Sequence, residues 1–166
     1  MINSKKLLFP FILSFFSLLT YSQQIGCDGE RYFKNVFTDV TVTENITYGS
    51  SVTIGGNTLE LKMDIYQPEG DGLEKRPVIV FAHGGGFVGG NKDDMDGICE
   101  DFAQKGYVTA SISYRLIDAA VFDSIGVEDV IIKAISDMRA AVRFFREDAA
   151  TTNNYGVDSN FIFAGG

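Results

Sequence analysis

The chain has 166 residues, enough for one domain with a real core, and carries 14 Lys and Arg against 22 Asp and Glu for a net charge of −8. That balance excludes nucleic acid as an expected partner, because phosphate binding rests on clustered Lys and Arg.

Residues 1–22 read as an export signal. Lys5-Lys6 supplies a positive start, Leu7 to Leu19 an apolar run broken by Pro10, and Thr20-Tyr21-Ser22 small residues at the two recognition positions, with cleavage expected after Ser22. The run is shorter than the ~20 residues that span a bilayer, so no stable anchor is expected after cleavage and the destination is secreted or periplasmic. Outside the cytosol Cys27 and Cys99 are candidates for a bridge, which would contribute roughly 4 kcal/mol in the chain-entropy model. Two buried thiols are the other reading.

Beyond the leader, Val40 and Val42 alternate with Thr41 and Thr43 in a half-exposed strand over Val36 to Tyr48, and Val52 to Ile54 reads as a second short one. Gly55-Gly56-Asn57 makes a turn into a strand in which Leu59, Leu61, Met63 and Ile65 share a face. The polar segment Glu69 to Lys75 then leads to Pro77-Val78-Ile79-Val80-Phe81-Ala82, an apolar run without alternation, as a strand buried on both faces requires. His83-Gly84-Gly85-Gly86-Phe87 follows at once. Glycines at the end of such a strand let backbone N–H groups face a ligand closely, and the ligand suited to them is an anion. A phosphate and the oxyanion of an acyl-transfer intermediate both qualify.

Asp93, Asp94 and Asp96 mark a helix start whose apolar face carries Ile98, Cys99, Phe102 and Ala103, and Gly106 ends it. The Asp93-Asp94-Met95-Asp96 run shows no metal-ligand set around it, so no metal is expected. A second buried strand runs from Tyr107 to Tyr114, and the loop Arg115 to Gly126 joins it to the longest helix. On that helix Val127, Val130, Ile131, Ala134, Ile135, Met138, Ala141, Val142 and Phe145 recur at core spacing, while Asp137 reads as a capping or bridging residue on a solvated face. A polar loop, Thr151 to Asn160, precedes the last strand, Phe161 to Ala164, and Gly165-Gly166. Buried strands alternating with helices through right-handed crossovers give an α/β fold, a mostly parallel sheet with an antiparallel N-terminal lead-in.

A buried strand running into two glycines resembles the approach to a G-x-S-x-G nucleophile turn. With His83 to Phe87, Ser113-Tyr114-Arg115-Leu116, Asp137 to Phe144 and Tyr155-Gly156-Val157-Asp158 in that order, the chain from about Leu59 onward resembles the HGGG-type esterases of the α/β-hydrolase superfamily, akin to hormone-sensitive lipase. The resemblance implies that residues 23–166 are the N-terminal half of such a domain. It implies Gly84 and Gly85 as oxyanion-hole donors, each worth roughly 3 kcal/mol in the transition state. His83 and Gly86 would support the loop, and Phe87 would line the substrate pocket. His83 is the only histidine, but in this fold the base follows the serine, so the Ser, Asp or Glu, and His of the triad fall outside these residues. The implied activity is hydrolysis of a small-molecule or polysaccharide-linked carboxylic ester with no cofactor, and the 166 residues by themselves are expected not to turn over. A non-catalytic extracellular binding module on the same fold is the alternative.

Overall fold

The computed structural model describes residues 29–117 and 124–166, so the expected leader, Cys27 and the middle of the loop before the long helix lie outside the described residues. Five strands and two helices follow in the order β1 (Val40–Val52), β2 (Thr58–Pro68), β3 (Arg76–Ala82), α1 (Asp96–Gln104), β4 (Val108–Ile112), α2 (Ser124–Ala150) and β5 (Val157–Gly165). A short 3-10 turn, Lys92–Met95, leads into α1, with Asn91 and Asp94 forming a reciprocal capping box. The sheet order is β1-β2-β4-β3-β5. β1 and β2 are antiparallel, β2 runs antiparallel to β4, and β3 is parallel to both β4 and β5. Among the described strands β3 is thus flanked on both sides by parallel neighbours, and its C-terminal end carries the glycine loop.

Helices cover both faces, which is why the central strands are apolar without alternation. Met63, Ile65, Val78, Val80, Val108, Ala110 and Ile112 point toward α2, where Ala141 and Phe145 complete the larger core. On the opposite face Tyr66 and Phe81 meet Cys99 and Ala103 of α1. All five residues of β4 are buried, including Thr109 and Ser111. Their hydroxyls donate to the carbonyls of Cys99 and Lys92, so neither hydroxyl is left unpaired.

The structure corrects four of the sequence expectations. Val40–Val52 is one strand, not two, because register shifts between Thr43 and Ile46 and between Thr47 and Gly49 absorb the residues that interrupt the alternation. Asn45, at φ +57°, turns its N–H to Asp64 at the first of these. β5 begins at Val157, inside the expected polar loop. Arg76 donates to the Tyr155 carbonyl at 2.9 Å, and the β3–β5 register shifts between Arg76 and Val78, so the polar residues Asp158, Ser159 and Asn160 are carried as strand. Ile131, Ile135 and Ile98 face outward, the expected apolar stripes being wider than the faces that the sheet covers. Asp137 is buried and not on a solvated face.

An ion cluster fastens the segment before β1. Asp71 accepts from Arg31, with an N–O distance of 3.1 Å to Oδ1 and a second bond to Oδ2, and lies 3.8 Å from Arg76. Burial lowers the Arg76 pKa from its ordinary value, and neighbouring Asp71 opposes that shift. Asp71→Ala is expected to lower stability by about 2 kcal/mol, measured by urea unfolding. The loss is limited because both guanidinium groups keep carbonyl acceptors, Arg31 that of Gly106 and Arg76 those of Tyr155 and Gly156. An unchanged midpoint would contradict the assignment of Asp71 as the centre of this clasp.

Candidate functional site

Strand β3 delivers the chain to His83, and the loop that follows turns on backbone geometry that side chains disfavour. Gly85 has φ +119°, and a Cβ placed there would lie 2.2 Å from the Gly89 carbonyl oxygen. At Gly90 a Cβ would sit 2.4 Å from both the Gly84 oxygen and His83 Nδ1. Phe87 itself adopts φ +64°, held by Ile117 N–H on its carbonyl at 2.8 Å. Such a conformation costs a non-glycine residue on the order of 1–3 kcal/mol, so the surrounding contacts must impose it.

Gly84, Gly85 and Gly86 are exposed. Among the described residues neither the Gly84 N–H nor the Gly85 N–H has a hydrogen-bond acceptor. Two neighbouring free donors at a strand end form a concavity suited to negative charge. Beneath them His83 is 4% exposed, with Nδ1 at 2.8 Å from the Gly84 carbonyl oxygen. A carbonyl only accepts, so Nδ1 carries the proton. The imidazole stacks on the Tyr114 ring at 4.5 Å and 21°, and Phe87 meets the same ring edge-on at 6.2 Å. Burial raises the Tyr114 pKa, so its hydroxyl remains a donor, and it donates to the His83 carbonyl at 2.7 Å.

The end of β5 lies beside this loop. Ladder pairing sets Phe81 opposite Gly165, and a Cβ on Gly166 would be 2.6 Å from the Ala82 oxygen. An open cleft of about 310 Å³ is bounded by His83, Phe87, Tyr114, Ile135, Met138 and Gly166, a largely apolar wall. The cleft thus brings together two of the expected site residues, His83 and Phe87, with Gly166. Tyr114 and three residues of α2, Ala134, Ile135 and Met138, join them, although sequence reasoning had assigned them no part in the site. The available signal was the position of Tyr114 at the end of a buried strand, where open sheets build their sites.

Arg115 and Asp137 lie next to this wall as a buried pair. Asp137 accepts the Arg115 backbone N–H at 3.0 Å and its guanidinium at 2.6–3.2 Å. Arg115 also donates to the Val52 and Lys133 carbonyls, joining β1 to α2.

A larger depression of about 490 Å³ lies elsewhere, over Asp64, Lys92 and Asp96. Carboxylates of Asp64, Asp93 and Asp96 come within 4.8 Å of one another there, a set invisible in the linear run because Asp64 arrives on β2. Lys92 Nζ lies 2.5 Å from Asp64 and 2.8 Å from Asp93, so the group is an ion-pair cluster with its own cation.

Of the expected bridge, Cys27 lies outside the described residues. Cys99 is a fully buried free thiol whose pKa burial pushes up to about 12. Native protein at about pH 8 is therefore expected to leave Cys99 unalkylated, since the thiolate is the reactive form. Denaturation without reductant should expose a labelled thiol. Labelling only after reduction would show a bridge instead.

The BD-FAE family model matches residues 63–166. Among solved structures, the chain is similar to an esterase from the planctomycete Thermogutta terrifontis, at 29% identity over 74% of this chain and 39% of that one, with a TM-score of 0.57. It is also similar to a hyperthermophilic esterase from the archaeon Pyrobaculum calidifontis, at 25% identity over 78% of this chain and 34% of that one, with a TM-score of 0.53. Esterase B from Lactobacillus rhamnosis, at 22% identity over 76% of this chain and 36% of that one, shares the fold with a TM-score of 0.57. This chain spans between a third and about two fifths of the length of these esterases. No curated protein matches it.

Proposed function

The chain belongs to the BD-FAE family of esterase-like α/β-hydrolases, and on that premise we propose that it supplies the oxyanion-hole portion of a secreted serine esterase. The observation that carries this is the pair of exposed N–H groups on Gly84 and Gly85, without an acceptor among the described residues, in the loop whose His83 and Phe87 line the cleft with Gly166. A binding module without chemistry has no use for such a pair.

In the reaction a serine following Gly166 gives its proton to the catalytic histidine as its oxygen attacks the ester carbonyl carbon, and the carbonyl π electrons move to oxygen. That oxygen takes its negative charge between the Gly84 and Gly85 N–H groups, joined by the N–H of the residue after the serine. Collapse of the intermediate breaks the bond to the alcohol, which leaves with a proton from the catalytic histidine. Water then attacks the acyl-serine by the same route and releases the acid. In the chain order of this fold the serine comes first, then the acidic residue and then the histidine. His83 Nδ1 donates to the Gly84 carbonyl, so the part of this histidine is to support the loop.

Phe87 lines the pocket beside the loop. The Thermogutta terrifontis esterase has been solved with propionate and with butyrate bound, which supports short acyl groups on a small-molecule or polysaccharide-linked ester. The basic, apolar and small-residue segments of residues 1–22 support export, and the exported protein is expected to begin at Gln23 by intact mass.

The full-length protein is expected to hydrolyse p-nitrophenyl butyrate and to lose that activity on stoichiometric labelling by an organophosphonate. Absence of both turnover and labelling would refute the esterase assignment and leave the binding module.

A further inference from the structure

The geometry points to Tyr114 as the residue that positions the oxyanion donors, an inference that rests on the esterase reading above. A peptide unit is a rigid trans plate, so the carbonyl of one residue and the N–H of the next point opposite ways from the same plane. The His83 carbonyl and the Gly84 N–H share one plate. The Gly84 carbonyl and the Gly85 N–H share the next.

Each plate is gripped at its carbonyl end. Tyr114 Oη donates to the His83 oxygen at 2.7 Å, and His83 Nδ1 donates to the Gly84 oxygen at 2.8 Å. Both opposite ends are N–H groups without an acceptor among the described residues. The direction of each donor is therefore set from behind, by a side chain that need not touch substrate. The Tyr114 bond is buried, where it is stronger than in water and where it polarises the amide, making the Gly84 N–H a better donor.

Tyr114 is itself held in place. Its ring lies against His83 and Phe87, and the next residue is locked through its backbone N–H and guanidinium to Asp137 on α2. Tyr114 and His83 thus form a two-step support in which the tyrosine fixes the first plate and the histidine carries that order to the second.

Tyr114→Phe in the full-length protein keeps the stacked ring and removes only the hydroxyl. It is expected to lower kcat for p-nitrophenyl butyrate roughly ten- to a hundredfold, because a donor turned away from the developing charge stabilises it less. KM should stay within about twofold, and the rate of phosphonylation should fall in proportion to kcat/KM. Tyr66→Phe is the matched control. Tyr66 is 2% exposed, and its hydroxyl donates to Asp96 Oδ1 at 2.6 Å on the α1 face of the sheet, away from the glycine loop. It should lower the thermal midpoint about as much and leave kcat unchanged.

A second readout does not need turnover. With isotope-labelled glycine, the Gly84 amide proton of Tyr114→Phe should shift by several tenths of a ppm and exchange faster than in the wild type, with Gly85 moving less. Wild-type kcat in Tyr114→Phe, an equal activity loss in Tyr66→Phe, or an unmoved Gly84 amide would each overturn the positioning role. A wild-type protein that neither hydrolyses esters nor reacts with the phosphonate would instead sink the esterase reading, while the Gly84 amide would still decide whether Tyr114 orients that plate.

Discussion

On the proposed esterase activity, Gly85→Ala is expected to lower kcat/KM of the full-length protein for a short aryl ester at least about a hundredfold, the size of losing one oxyanion donor outright. The added Cβ would lie 2.2 Å from the Gly89 oxygen and 2.7 Å from the Gly89 carbonyl carbon. Both atoms are backbone, so no rotamer change relieves the overlap. At φ +119° an L-residue is strained even in open space, and the two costs act together. The loop must open between Gly85 and Gly89, which also breaks the Val88 N–H to Gly85 carbonyl bond at 3.2 Å. Opening turns the plate that carries the Gly85 N–H away from the developing charge.

On the same proposal ground-state binding would use mainly the apolar wall of the cleft, so the loss should fall on kcat and leave KM little changed. Gly86→Ala provides the contrast. Gly86 also has positive φ, +64°, but a Cβ there meets nothing within 4 Å, so only the conformational cost of about 1–2 kcal/mol remains. Steady-state kinetics on both variants make the test. A Gly85→Ala enzyme no worse than Gly86→Ala would show that the close approach to Gly89 does not hold the loop.

The largest expected loss of stability follows Asp137→Ala, about 3–5 kcal/mol by urea unfolding. Asp137 is 1% exposed and Arg115 6%. Removing the carboxylate leaves a guanidinium enclosed by β1 and α2, with the Val52 and Lys133 carbonyls as its acceptors among the described residues. It also leaves the Arg115 backbone N–H without its acceptor. A loss of this size is a large part of the total stability of an ordinary domain. Removing both charges, as Asp137→Leu with Arg115→Met, should recover much of the deficit, since an apolar pair has no stranded charge. A double variant as unstable as Asp137→Ala would show that the backbone bonds, and not the ion pair, carry the effect.

The parts of this architecture that could be read from the sequence are those set by local chemistry. The run Pro77 to Ala82 has no polar interruption, and the structure covers β3 with helices on both faces. Gly106 ends α1 at φ +101°, as a residue without Cβ permits. The polar residues of β5 gave no such signal, because a strand whose start is bent by Arg76 has no alternation to read. Ile131 and Ile135 show the opposite failure. Their spacing is that of a core stripe, yet periodicity reports only which residues share a helix face and not how wide a strip of it the sheet covers.

What the sequence by itself determined is the identity of the strands that build the centre of the sheet and the place where the chain leaves β3 in a glycine loop. Both follow from properties that a residue carries wherever it stands, burial preference and the absence of a Cβ. The tertiary structure alone decided which groups support that loop. Tyr114 reaches the His83 carbonyl across 31 residues of chain because β4 and β3 are parallel neighbours, and Asp137 reaches Arg115 because α2 packs on the same face. Partner choice of this kind is fixed by sheet order and by the need of each buried polar group for a bond, and neither is a local property of the sequence.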